Sequence, residues 1–281
     1  MKSLTIAILL SLATSPTFAE SFDNEGVVNY DVVDSLFQPR TDQFVLALSP
    51  DYSRFTYVAS NGTNTANLES LGATLEYGLS KTYGIFFGVN YGTATYSSSQ
   101  QTYSGFSNFH LAAKGTFDLS TANKLFASIN IGVSPSHATD NNRYTGGNTY
   151  TPQVAFQHRL DASSLLAVGL SVSYLAPTTF DFGNTSYTVP SGTFASVLFA
   201  NYEKMLGSTK LGGIFDLQHA YTGTDLATTL NLTAYALFEV AKDFSLAPEM
   251  KYSGVTDALL NKNAYKQDEQ VDLLVVARLA F

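Results

Sequence analysis

From Val271 to Phe281 every second residue is apolar: Val271, Leu273, Val275, Ala277, Leu279 and Phe281 alternate with a set that holds Asp272 and Arg278. Successive side chains of a strand point to opposite faces, so this spacing predicts a strand with one unbroken apolar stripe. The same period runs through Tyr83, Ile85, Phe87, Val89 and Tyr91, set against Gly84, Gly88, Asn90 and Gly92. It recurs in Leu125, Ala127, Ile129, Ile131 and Val133, whose intervening set holds Lys124, Ser128 and Asn130. Leu166, Val168, Leu170, Val172 and Tyr174 repeat it, as do Leu230, Leu232, Ala234, Ala236, Phe238 and Val240. A soluble β-sandwich would alternate in the same way. Rows of about five or six apolar positions exceed typical soluble strands, and their ends carry Tyr or Phe. Such rows suit strands that turn one face to lipid and the other to a polar lumen. Between Phe194 and Lys204, Phe194, Leu198 and Tyr202 compete with Val197 and Phe199 for the outward face, so the register stays open there.

Turn signals at Leu79-Ser80-Lys81, Asp118 to Asn123, Asp161 to Ser164, Gly207-Ser208 and Lys242-Asp243 predict five short turns. Longer polar stretches separate them: Ser60 to Ala66, Ser97 to Ser104, His137 to Asn148, Pro177 to Tyr187, Thr222 to Asp225 and Gly254 to Glu269. Six longer loops on one side and five short turns on the other predict an all-β fold, a transmembrane antiparallel up-and-down β-barrel of about twelve strands.

Lys2 precedes the apolar run Leu4 to Ala13, and Pro16-Thr17-Phe18-Ala19 places small residues where a signal peptidase needs them. Cleavage after Ala19 is expected. The apolar run is far shorter than the roughly 20 residues of a spanning helix. The predicted organisation is therefore a signal peptide over 1–19, an N-terminal arm or plug over 20–40 and a barrel over 41–281. Val27, Val28, Val32, Val33, Leu36 and Phe37 could form a short amphipathic turn in the second segment. That segment reads as a periplasmic arm, or as a lumen plug held by Asp23, Glu25, Asp31 and Asp34. At the other end Val275, Ala277, Leu279 and Phe281 resemble the C-terminal signal by which Gram-negative barrel-assembly machinery recognises its clients. The expected location is the outer membrane, with its lipid and that machinery as partners.

Composition agrees with strands and polar loops, with 20 Phe, 17 Tyr and only 14% charged residues. The chain has no Cys, which excludes disulfides and Cys-ligated metal. Loss of Lys2 with the signal leaves 14 basic (15 minus 1) against 23 acidic residues, a formal charge of −9. A duplex nucleic acid is not a partner that balance favours.

The candidate chemistry lies on the polar faces. By alternation Glu76, Lys114, Arg159, Glu203, Lys210, Asp216, Glu239, Glu249, Lys251, Asp272 and Arg278 point inward, six acidic and five basic. Eight strands leave almost no bore and sixteen leave a pore, so twelve put these groups around a narrow lumen or in ion networks that fill it. Neither sign predominates, which argues for a small neutral or amphipathic solute over a strongly ion-selective pore. No enzyme is predicted. Ser107 and His110 are three apart and face opposite sides of a strand. Ser136-His137, His158 and His219 complete no hydrolase arrangement, and no Asp-Asp or His-Asp pair occurs. Asp140-Asn141-Asn142-Arg143 with Gly146-Gly147 would need a bidentate Glu where Thr151 stands, so no calcium loop, metal or cofactor is expected.

Tyr77, Gly78 and Leu79, followed by Gly105, Asn108, Leu111 and Lys114, give a pattern of hairpin and Gly-rich strand. Over about fifty residues it resembles the outer-membrane transporters linked to the phenol meta-degradation pathway. Phe106-Ser107-Asn108 departs from that pattern, which carries an Asp after the second glycine. The resemblance implies uptake of hydrophobic or aromatic small molecules and carries over no binding residue. The function expected is an outer-membrane channel or transporter for passive passage of small solutes; the alternative is a structural or surface-interaction protein with a closed lumen.

Overall fold

The computed structural model describes residues 39–281, apart from 60–61, 98–100, 107–108, 134–147, 177, 183–184, 190–192, 208, 223–224, 242 and 256–266. The expected signal peptide over 1–19 and nearly all of the arm or plug over 20–40 lie outside the described residues, as do Ser107, Asn108 and His137.

The strands are β1 (Phe44–Ala59), β2 (Gly62–Gly78), β3 (Tyr83–Tyr96), β4 (Gln101–Phe106), β5 (Phe109–Asp118), β6 (Asn123–Val133), β7 (Thr149–Asp161) and β8 (Ser164–Leu175). They continue as β9 (Thr178–Phe182), β10 (Thr185–Val189), β11 (Thr193–Leu206), β12 (Thr209–Thr222), β13 (Asp225–Ala241), β14 (Phe244–Val255) and β15 (Gln267–Ala280). Each barrel strand pairs antiparallel with its neighbours, and β15 returns to β1, so the sheet closes. β4 and β5 both pair with β3 and act as one barrel strand, while β9 and β10 form a separate hairpin. Twelve barrel strands result. Closure removes the free edges that an open sheet of this length would expose, and satisfies backbone donors without water. At the seam Phe44 N–H donates to Phe281 C=O and Phe281 N–H to Phe44 C=O, both at 3.0 Å.

All five short turns fall at one end. The opposite end departs from the expected six long loops. β1 runs to Ala59 and β2 starts at Gly62, so most of the Ser60 to Ala66 stretch is strand; β12 and β13 likewise meet across 223–224. Gln101 to Ser104 also pairs, extending the wall on β3. Asn, Thr and Ser in these stretches read as loop by polarity, yet backbone pairing continues wherever a partner strand runs alongside. The Pro177 to Tyr187 stretch contains the β9–β10 hairpin. Three connections, 134–148, 176–192 and 256–266, remain long.

The outward face carries the apolar rows: among the described residues forty large hydrophobic side chains are exposed, nearly all of them on strands, with Leu273 at 50%, Leu198 at 58% and Phe87 at 50%. Water would not tolerate a continuous apolar surface of that extent, and hydrocarbon requires it. Aromatic contacts band both ends. Phe44 meets Tyr77 (4.5 Å between centroids) and Phe281 (6.0 Å) near the short turns; Tyr174 meets Phe194 (4.8 Å) and Tyr91 meets Phe106 (5.2 Å) near the other end. In β11 Phe194, Leu198 and Tyr202 face outward, and Phe199 is buried inside.

Candidate lumen site

Period two puts Val45, Ala47, Ser49 and Asp51 of β1 on the inner wall with Gln270, Asp272, Leu274, Val276 and Arg278 of β15. The inner wall is not uniformly polar. Phe126, Phe199, Ile214, Tyr235, Leu237, Leu274 and Val276 belong to one buried apolar cluster with Val45, Ala47 and Ala247. Every one occupies a position that alternation assigns to the lumen, between the polar residues that draw attention in the sequence. Two of these rings lie flat on the wall. A Cβ at Gly169 would run into the Phe199 ring, and one at Gly212 into the Tyr235 ring, so only glycine leaves room for them.

Nearer the short turns the charges are buried and paired. Lys114 Nζ reaches past β3 to Glu76, 3.3 Å from Oε2, and sits 4.8 Å from the Phe86 centroid. On the far wall Lys210 Nζ is 2.9 Å from Glu203 Oε2, with side chains 0% and 2% exposed. Tyr235 Oη donates to Glu203 Oε1 at 2.6 Å and lies 2.9 Å from Asn201 Oδ1. Arg278 of β15 is buried on the Glu76 side of the wall, where its charge acts on the Glu76 carboxylate. Charges without water hold position only when each is compensated, as Lys114 is by Glu76 and Lys210 by Glu203.

Toward the other end Asp51, Asp216, Lys251 and Asp272 are half-buried. Asp216 accepts from the Asn231 side-chain amide, Asp272 from Gln270 Nε2 at 2.7 Å, and Asp51 from Ser53 Oγ at 3.4 Å. Among the described residues no ion pair within 4.0 Å involves any of the four. Glu249 is buried in β14. Arg159 has inward parity and is exposed near the end of β7. Glu239 is half-buried beside the register shift between β13 and β14, also at the rim. Val275, Leu279 and Phe281 are exposed on the outer face, with Ala277 between them.

Asp51 and the apolar cluster were not singled out in the sequence. Val45, Ala47, Ser49 and Asp51 alternate with Phe44, Leu46, Leu48 and Pro50, a readable pattern in which the inward set is itself half apolar. The histidines make isolated contacts: His110 with Asn130 (3.4 Å), His158 with Asn123 (2.7 Å) and His219 with Thr228 (3.0 Å). Among the described residues no group of three or more His, Asp or Glu side chains is placed to hold a metal ion.

No protein-family model matches the sequence, and no curated protein matches it. Solved structures do. An outer membrane channel from Pseudomonas putida F1 is similar with a TM-score of 0.64 at 15% identity, over 86% of this chain and 96% of that one. The transport unit of the autotransporter AIDA-I from Escherichia coli gives 0.57 at 8% identity, over 100% and 98%. The translocator domain of the autotransporter NalP from Neisseria meningitidis gives 0.54 at 13%, over 86% and 89%. At such identities the likeness is one of fold. A channel and two autotransporter units share that fold, so function has to be argued from the lumen.

Proposed function

We propose that this barrel is an outer-membrane channel for passive passage of small solutes, amphipathic or aromatic ones in particular. The observation that carries the reading is the lie of the lumen aromatics. Phe199 and Tyr235 rest on Gly169 and Gly212, so they coat the wall and project less into the bore than free rotamers would. Six adjacent strands each carry a small inward residue, Gly72, Gly88, Ala112, Gly132, Ala155 and Gly169, alongside the larger Phe86 and Phe126. Twelve strands enclose a wider cross-section than the eight that side chains just fill. An apolar lining between charged ends can take up a solute with an apolar body while sparing its polar group complete desolvation. The apolar outer face, the closed sheet and the terminal stripe to Phe281 support assembly into an outer membrane after removal of a signal peptide.

The test is single-channel recording of the protein in planar lipid bilayers, paired with swelling of liposomes in a gradient of small aromatic solutes. Discrete current steps and solute-dependent swelling are expected. A barrel that is folded by circular dichroism yet passes neither ions nor solutes would refute the reading and leave a structural protein with a closed lumen.

A further inference from the structure

We infer that Asp51 and Asp272 form a lumen binding site for an amphipathic organic amine, whose cationic nitrogen sits between the two carboxylates and whose apolar body lies on the adjoining apolar cluster. The inference rests on the channel reading above for its physiological meaning, though binding can be measured without conduction.

The charges of the inner wall divide into two kinds. Glu76 with Lys114 and Glu203 with Lys210 are buried and ion-paired, which is what a structural role requires. Asp51, Asp216, Lys251 and Asp272 are half-buried and outside any ion pair within 4.0 Å among the described residues. Three carboxylates against one ammonium give a formal excess of −2 (one minus three). Asp51, Lys251 and Asp272 are neighbours through the ladder. Lys251 is the register partner of Asp272, Ser53 of β1 also faces Asp272, and Asp51 is two residues from Ser53 on the same face. Asp216 faces Asn231, which faces Ser253.

A second observation points to a missing donor. Asn231 is 1% exposed and gives its amide to Asp216, but its Oδ1 has no partner; Asp51 Oδ1 and Ser253 Oγ, the latter on a residue 3% exposed, also have none. Buried acceptors without donors are costly, and an N–H-bearing cation would satisfy several at once. A carboxylate or phosphate solute would meet like charge and offer no donors. A bare metal ion is disfavoured because no three metal-ligating side chains converge among the described residues.

Continuity with the apolar cluster sets the rest of the ligand. Leu274 lies two residues from Asp272 and Ile214 two residues from Asp216, each on the same face as its carboxylate. A molecule with its nitrogen at Asp51 and Asp272 therefore has its carbon skeleton against Leu274, where the apolar cluster begins.

Isothermal titration of the detergent-purified protein with 2-phenylethylamine, 2-phenylethanol and phenylacetate, ring-matched and differing in charge, tests this. The amine should bind about tenfold more tightly than the alcohol, with phenylacetate weakest, as charge-assisted hydrogen bonds dictate. The double variant D51N/D272N should lower amine affinity to that of the alcohol and leave the alcohol unchanged; the single variants give the same comparison if the double one does not fold. Equal affinity for amine and alcohol, or an amine preference that survives in folded D51N/D272N, overturns the site. Bilayer recording separates the two readings. Amine binding by a silent barrel upholds the site and sinks the channel; conductance without amine preference upholds the channel and sinks the site.

Discussion

Replacing Lys210 by Met should be the most damaging single change on the inner wall. Its ammonium stands 2.9 Å from Glu203 Oε2, and the two side chains are 0% and 2% exposed. Met keeps the length and apolar stem of Lys but leaves Glu203 without its counter-charge where water does not reach. Removing one partner of a buried pair costs about 3–5 kcal/mol. Tyr235→Phe takes away a 2.6 Å donation to the same carboxylate, for which about 1.5–3 kcal/mol is expected. The double change E203Q/K210M removes the charge together with its partner and should recover to within about 1 kcal/mol of the parent, since a buried pair contributes little net stability once both charges go. An internal control is the rim pair Lys204–Asp161, 3.6 Å apart with side chains 39% and 55% exposed; K204M should cost less than about 1 kcal/mol. The assay is urea unfolding in lipid vesicles followed by far-UV circular dichroism and tyrosine emission, because the chain has no Trp. If K210M costs no more than K204M, or the double variant is as unstable as K210M, the pair is not the buried structural element described here.

Gly169→Val places a branched side chain where the Phe199 ring lies and should destabilise the barrel by about 1–3 kcal/mol, with the loss relieved in G169V/F199A; an additive double variant would contradict the contact. On the outer face Leu273→Arg should cost about 2–4 kcal/mol in vesicles, as a charge near the middle of a lipid-facing strand does, and a neutral result would place that face elsewhere. Protease added to intact cells should cut within 134–148 and 256–266, the long connections at one end. Cuts confined to the short turns at 79–82 and 119–122 would reverse the orientation.

Much of the architecture follows from one periodicity. In β15 the apolar set from Val271 to Phe281 and the inward set with Asp272 and Arg278 separate cleanly, and the structure keeps that division. The short turns read correctly because Gly, Asn, Asp and Ser concentrate where the chain reverses. The loops at the other end read less well, since Thr63 to Ala66 is polar in composition and yet pairs with Thr56 to Val58 and Phe55 of β1. Polarity alone cannot distinguish a solvated loop from a strand that extends beyond the membrane with both faces wet.

Alternation assigns a residue to a face, and that is all it assigns. It determined the strands, the lipid-facing rows and the inward position of Glu76, Lys114, Asp216, Lys251 and Asp272 from the chain itself. It carried no information on height or azimuth inside a closed sheet, which depend on the stagger accumulated around all twelve strands. Pairing of β5 and β2 on either side of β3 brought Lys114 to Glu76, 38 residues away, and only closure of β15 on β1 put Asp272 beside Asp51. The same limit hid the register of β11. Its inward set holds Val197 and Phe199 as well as Asn201 and Glu203, and packing against Gly169 on β8 shows that the Phe199 ring enters the lumen.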